Sequence, residues 1–423
     1  MTPPTTSDRT PGRPASAGSA KNNRGGARRL SAAAVCAPGL EFVCRQELEA
    51  LGCRPKPAGP GTVAFNPTLR QLYAANVWLR SAVRVVVRVG TFRATDFAHL
   101  QQRAGEIEWD RWLPAGYAPS FRVSSSDSKL YHTDAIAQRL HQVVGPPSTG
   151  EPEQLVIVRI DRNTVTMSID ASGAPLHHRP WRTELGEAPL RTTMAAGLLM
   201  ACGWTGDVGL LDPFCGAGTI PIEAALAARG LPPGGDRPYA FQEWPTFDSG
   251  TWASVRGEIA ARASASAPSI IAGADRDSAV IAMAEANAER AGVAGDIEFS
   301  TRVVSHTKAL PAPGLVAANP PYGKRLGDGT LDGLYRRFGA VLRDRLPGWR
   351  LAMVCPDPKL AAAADRRLRR VARFRHGGLS VQVFERGAET DSEGPDLRGP
   401  DPGERAEPMD PLSARGGADP QPS

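Results

Sequence analysis

The chain has 423 residues, 41% of them hydrophobic, which is enough for two or three domains with packed cores. Its net charge of +6 fits an anionic partner such as nucleic acid and equally fits Arg-rich, solvated helix faces. No apolar run approaches the roughly 18 residues a membrane span needs, and the N-terminus has no apolar signal core, so a soluble cytoplasmic protein is expected.

Residues 1–30 and 387–423 are rich in Pro, Ser, Gly and Arg and poor in apolar residues. Both ends, a basic N-terminal tail and a C-terminal tail, are expected to be disordered. The stretch AAAVCAPGLE (32–41) reads as a strand, a turn and a helix start. FVCRQELEALG (42–52) continues with Phe42, Val43, Leu48 and Leu51 on one side and Gly52 as the stop. TVAFN (62–66) is a short strand, LRQLYAANVWLRSA (69–82) a helix and VRVVVRVGTF (83–92) a half-buried strand. A mixture of helix and strand continues through FRVSSSDSKLYHTDAIAQRLHQVV (121–144) to LVIVRIDRNTVTMSID (155–170), which reads as one strand. The pattern predicts an α+β half, with one region over 31–70 and a second over 71–171.

From about Ser172 the pattern changes. The strand-and-loop segments VGLLDPFCGAGT (208–219), IIAGADRD (270–277) and GLVAANPPYG (314–323) alternate with helical segments, and WRLAMVCP (349–356) is a further strand. This alternation over 172–386 predicts a doubly wound parallel sheet, whose ligands bind beyond the carboxyl ends of the strands. Having its own alternating pattern, this half is expected to fold by itself.

Three loops at such ends are unusual. In DPFCGAGT, Gly216 and Gly218 let the backbone pass close to a ligand at a helix N-terminus; a tight strand-to-helix turn is the alternative. The full GxGxxG fingerprint is absent and no Lys follows, which excludes a P-loop. In GADRDSA, Asp275 is placed to accept both hydroxyls of a ribose, while Asp277 or Ser278 reads as a helix cap. In NPPY, two prolines fix the Asn319 carboxamide and nearby carbonyls, which could accept both protons of an amino group, and Tyr322 could stack on a base. A rigid turn explains Pro-Pro but not the complete N-P-P-Y order at a strand end.

Glycine loop, ribose acid and NPPY in this order resemble class I methyltransferases that use S-adenosylmethionine (SAM) and modify an exocyclic amino group. NPPY is shared with DNA adenine-N6 methylases and some protein-glutamine methylases. SSSDSKLYHTDAIAQRL (124–140) is similar to the THUMP RNA-binding domain, and residues 168–199 resemble the joint between THUMP and catalytic domains. DPFCGAGTIPIEAAL, RPYAFQEWPTFD and NPPYGKRLG resemble the bacterial RlmL-like N2-guanine RNA methyltransferases, a likeness spanning about 32–386.

The resemblance implies a Rossmann-like doubly wound α/β methyltransferase sheet preceded by an α+β ferredoxin-like/THUMP half. It implies SAM as cofactor, structured RNA (rRNA or tRNA) as partner, guanine N2 as target, a monomer and no metal. Asp212, Phe214, Gly216, Gly218, Asp275 and Glu187 match cofactor-binding positions, and Asn319, Pro320, Pro321 and Tyr322 match the catalytic corner. Lys129, His132 and Arg139 are the candidate RNA contacts. One departure is the acid usually found before the NPPY strand, where this chain has Ser305 or His306. DNA adenine-N6 methylation and a non-catalytic RNA-binding or assembly factor are the alternative functions. His177 and His178 read as surface or RNA-facing groups and Cys215 as a packing residue.

Overall fold

The computed structural model describes residues 29–386 except 151, 185–189, 312, 323–327 and 377–378, and only the backbone at 328–330, 375–376 and 379–380. Both tails and Glu187 lie outside the described residues.

The first half carries β1 (Ala32–Cys36), α1 (Glu41–Ala50), β2 (Lys56–Pro57), β3 (Thr62–Phe65), α2 (Leu69–Trp78) and β4 (Ala82–Arg93). It continues with α3 (Phe97–Gly105), β5 (Ala118–Ser126), α4 (Thr133–Val144), β6 (Glu153–Asp161) and β7 (Thr164–Asp170). All seven strands form one sheet in the order β2-β3-β1-β4-β7-β6-β5. β4 joins its two ends, pairing antiparallel with β1 on one side and β7 on the other. Alternate residues such as Val85, Val87, Val156, Val158, Val165 and Met167 face the core, as period-two strands require.

The segment 155–170 is two strands rather than one. Asp161 pairs with Thr164, leaving Arg162 (φ 48°) and Asn163 (φ 61°) as a two-residue hairpin loop. Positive φ at both positions matches a type I′ turn, which Asn-Gly usually signals. DRNT lacks that glycine, so the apolar alternation runs through the turn unmarked.

The second half carries α5 (Thr192–Ala201), β8 (Gly209–Asp212), α6 (Thr219–Ala228), α7 (Ser249–Arg262), β9 (Ile271–Asp275), α8 (Ser278–Arg290) and β10 (Ile297–Thr301). It ends with β11 (Gly314–Ala318), α9 (Asp328–Arg345), β12 (Arg350–Cys355), α10 (Pro358–Ala364), β13 (Arg369–His376) and β14 (Leu379–Arg386). The sheet order is β10-β9-β8-β11-β12-β14-β13. The first five strands are parallel, as the βα alternation predicts, whereas β14 pairs antiparallel with β12 and β13 closes the edge. The Arg-rich sequence of β13 obscures its strand character, and charge on an edge strand discourages pairing with other chains.

The two halves share their cores. Leu40 and Val43 of the first half pack in the catalytic core. In return Tyr239, Phe241, Trp244 and Val255 of the second half pack in the core of the first. Tyr73 stacks on Phe241 at 4.2 Å, and Trp244 Nε1 donates to Gln154 Oε1 at 2.8 Å. Arg179 donates to Glu223 at 2.9 Å with both side chains almost fully buried, and also to the Arg80 carbonyl at 3.0 Å. Removing one partner of such a buried pair costs about 3–5 kcal/mol, because a charge is left unpaired. The shared core argues against the expectation that the second half folds alone: the cut would expose an aromatic cluster and take Arg80 away from the Arg179–Glu223 pair. No helix among the described residues is long and apolar enough to cross a membrane.

Candidate active site at the carboxyl ends of the second sheet

Three parallel strands end in the loops that the sequence singles out. β8 and β9 pair with Asp212 opposite Gly273, so the glycine loop leaves one strand and Asp275 ends the next. β11 lies on the other side of β8 and ends at Ala318, one residue before Asn319.

Asp212 is 1% exposed, and its carboxylate accepts the Phe214 N–H at 3.0 Å. Burial pushes its pKa well above the usual carboxylate range; the Phe214 N–H opposes this and the nearby Asp275 charge adds to it. Asp212 thus braces the loop from within. Phe214 sets its ring edge-on to Phe338 of α9 at 5.2 Å.

The two glycines differ. Gly216 (φ 53°) has open space where a Cβ would stand, whereas a Cβ on Gly218 (φ 81°) would meet Ala284 at 3.0 Å and Phe299 and Ile222 at 3.2 Å. Gly218 permits close packing of loop against helix, and Gly216 leaves a face of the loop free for a ligand. Gly218 is also the N-cap of α6, whose leading N–H groups favour acceptors.

Asp275 is tied to the loop. Its Oδ2 accepts the Gly216 N–H at 3.2 Å and its Oδ1 accepts the Asp277 N–H at 3.1 Å. A carboxylate offers about four acceptor sites, so two remain for a pair of ligand hydroxyls. Asp277 caps α8 by accepting the Ala279 N–H at 2.9 Å, the capping role its position suggested. Ser305 and His306 are both exposed in the single turn after β10.

At the third loop the Asn319 Oδ1 atom is buried and has no hydrogen-bond partner among the described residues. Buried acceptors are nearly always paired, so an orphan at a ligand-facing strand end marks a binding position. Pro320 is buried, Pro321 exposed and Tyr322 half-buried. Tyr335 of α9 supports the corner from below, donating to the Pro321 carbonyl at 3.4 Å.

Two supporting residues were not legible in the sequence. Asn287, fully buried in α8, donates to the Ala217 carbonyl at 3.0 Å and to the Glu184 carbonyl at 3.1 Å. It thereby fastens the glycine loop to the segment preceding 185–189. Its one signal was a polar residue on the apolar face of a helix, and Tyr335 gave only an aromatic at a core position. Cys215 is buried, and burial pushes its thiol well above the ordinary value, consistent with packing rather than nucleophilic chemistry. His178 is exposed, whereas His177 is half-buried: burial first, then the charges of His178 and Arg191, lower its pKa to about 3.

The RNA candidates lie far along the chain from these loops, on the first half. Lys129 and His132 are exposed at the start of α4, and Arg139 lies two turns on, its guanidinium over the Phe97 ring at 5.5 Å. The Lys129 N–H donates to Asn163 Oδ1 at 2.8 Å, which brings the Arg162 hairpin to the same tip. The tip also exposes Tyr131, 65% accessible.

These residues fit a SAM-type cofactor: open space at Gly216, spare acceptor capacity on Asp275 and a helix N-terminus between them. Two family profiles match the chain, the RMKL-like methyltransferase domain UPF0020 over residues 179–383 and the RlmL ferredoxin-like domain over 31–86. A Synechocystis chain provisionally named RNA methyltransferase slr0064 is 31% identical over 83% of this chain and 95% of its own length. Ribosomal RNA large subunit methyltransferase K/L of Shewanella amazonensis is 33% identical over 82% of this chain but 51% of its own length. The chain thus spans about half the length of the K/L relatives it matches. Among solved structures, SMU.472, provisionally named a methyltransferase and complexed with SAH, superposes with a TM-score of 0.78 at 28% identity, over 86% of this chain and 100% of the other. A Listeria monocytogenes chain named from its sequence as an N6-adenine-specific DNA methylase gives 0.77 at 30% identity, over 84% and 96%. The chain belongs to the RlmL-like family of class I, SAM-dependent methyltransferases that carry a ferredoxin-like N-terminal domain.

Proposed function

We propose that the chain methylates an exocyclic amino group of structured RNA, guanine N2 in rRNA or tRNA. The observation that carries this reading is the orphaned, buried Asn319 Oδ1 in an Asn-Pro-Pro-Tyr corner beside the cofactor loops. SAM supplies a methyl group already activated on a sulfonium. Asn319 Oδ1 and the Pro320 carbonyl accept the two N–H bonds of the target amino group. They hold its nitrogen in line and stabilise the positive charge it gains during transfer. Pro320 and Pro321 keep these acceptors fixed, and Tyr322 stacks on a flipped or unpaired base.

On the cofactor side, Asp275 takes the ribose hydroxyls, Gly216 admits the ligand close to the chain, Gly218 lets the loop pack tightly beneath it, and Asp212 and Phe214 hold the loop. By resemblance to the family, Glu187 serves the cofactor as well. Residues 31–70 serve as a ferredoxin-like region, 71–171 as a THUMP-like RNA-binding domain and 172–386 as the catalytic domain. Lys129, His132 and Arg139 contact RNA, with phosphates and RNA shape as their targets. The protein acts in the cytoplasm as a monomer.

DNA adenine-N6 methylation would use the same corner, and one structural neighbour bears that name. The α+β half favours RNA. The test is methyl transfer from labelled SAM by the purified chain to rRNA, tRNA and DNA from a strain lacking the gene. Nucleoside mass spectrometry then identifies the product. N2-methylguanosine in RNA is expected; N6-methyladenine in DNA overturns the reading.

A further inference from the structure

A second charged surface lies on the catalytic half itself, between α9 and α10. It is a groove of about 950 Å³ whose lining includes six cationic side chains, Arg336, Arg343, Lys359, Arg366, Arg367 and Arg386, and two carboxylates. The carboxylates are already engaged. Asp332 binds Arg336 at 2.6 Å, and Asp365 binds Arg367 at 3.1 Å and Arg386 at 2.9 Å. Arg343, Lys359 and Arg366 are exposed and have no carboxylate partner among the described residues. A concave wall with a net excess of one sign focuses potential more strongly than the same charges scattered on a convex face.

One wall of the groove is the helix that supports the catalytic corner. Tyr335, which contacts the Pro321 carbonyl, directly precedes Arg336 on α9. Arg336 and Arg343 are seven residues apart, about two helical turns or roughly 10 Å along one face. α10 follows the carboxyl end of β12, with Lys359 in its first turn and Arg366 just past its end. The two helices meet closely at Gly339, where even a Cβ would clash with the Ala364 carbonyl. The cations of both helices therefore line one channel.

We propose that this groove is a phosphate track of the catalytic half, holding RNA backbone beyond the target nucleotide. The inference rests on the RNA reading above and extends it: substrate contacts are divided between the α4 tip of the first half and the α9–α10 groove of the second. Arg343, Lys359 and Arg366 are its central contacts, and they hold phosphate without reading sequence.

The test is the full-length triple variant Arg343→Gln, Lys359→Gln, Arg366→Gln, with deproteinised rRNA and total tRNA as probes. RNA affinity is measured across a salt series, with SAM affinity and melting temperature as controls. Each lost phosphate contact lowers the slope of log affinity against log salt by about 0.7–0.9, so a decrease of about 2 is expected, with RNA binding weakened on the order of tenfold. SAM binding and melting temperature stay as in the unmodified chain. A variant that binds RNA with unchanged affinity and slope overturns the groove proposal alone. An unmodified chain that binds neither RNA overturns the RNA reading and the groove with it. If the triple variant loses stability, the single Arg343→Gln and Arg366→Gln variants decide the matter by the same slope.

Discussion

The Gly216 N–H donates to Asp275 Oδ2 at 3.2 Å, so the loop after β8 and the acid ending β9 form one unit. Asp275 consequently has two tasks, ordering the loop and offering its remaining acceptor sites to a ribose. Asp275→Ala should weaken SAM binding. The loss of charge-assisted hydrogen bonds amounts to about 1.5–3 kcal/mol, or roughly tenfold or more in affinity. Calorimetry checks this, and an unchanged dissociation constant would leave Asp275 with the loop-ordering task alone.

The two loop glycines should separate by readout. Gly218→Ala forces a Cβ onto Ala284, Ile222 and Phe299 in a left-handed conformation and should lower stability by about 1–2 kcal/mol or more. Gly216→Ala shares the left-handed strain (φ 53°), about 1–2 kcal/mol, but meets no neighbour within 4 Å, so it should lower stability less than Gly218→Ala and weaken SAM binding in addition. Melting curves with and without SAM distinguish the pair. The assignment fails if Gly216→Ala binds SAM normally.

Asn319→Ala should lower methyl transfer by about two to three orders of magnitude, the usual effect of losing one preorganised polar group. SAM binding should persist. Because the Asn319 Oδ1 has no partner among the described residues, its removal should leave the melting temperature unchanged or raise it. Normal turnover in Asn319→Ala would remove the catalytic assignment.

A chain beginning at Ser172 should not fold cooperatively, since Tyr239, Phe241 and Trp244 lose the core they pack in. In the full chain, Trp244→Ala should cost about 3–5 kcal/mol and release the Gln154 side chain. Near-ultraviolet circular dichroism of the truncated chain is the check; a sharp, cooperative melt would show that the catalytic half is self-sufficient.

His177 carries a pH signature. Its folded pKa, lowered to about 3, lies below the ordinary value of 6.5 because burial disfavours the cation. The unfolded chain therefore binds the extra proton first as pH falls. The stabilisation is fully present above about pH 6.5 and is lost progressively toward pH 3. His177→Gln should flatten that part of the stability curve relative to the native chain. Parallel curves from pH 7 to 4 would contradict the assignment.

The amino-acid sequence by itself determined the chemistry-bearing corners. Glycines after an apolar run, an acid ending the next strand and NPPY ending another are local signals, because each loop's conformation and polarity are set by its own few residues. The parallel part of the second sheet was legible for the same reason: buried strands read as continuous apolar runs between helical periods. Other features depended on residues far apart in the chain. The hairpin at Arg162–Asn163 lacked a glycine, and the antiparallel pair β13–β14 was hidden by edge charge. Only the tertiary structure decided that Trp244 belongs to the first core and Leu40 to the second, and that Asn287 fastens the glycine loop. Burial is a property of what packs against a side chain, and hydrophobicity alone does not name the partner. The α9–α10 groove likewise exists because Arg343 and Arg366, more than twenty residues apart, are brought to one wall by helices that meet at Gly339 and Ala364.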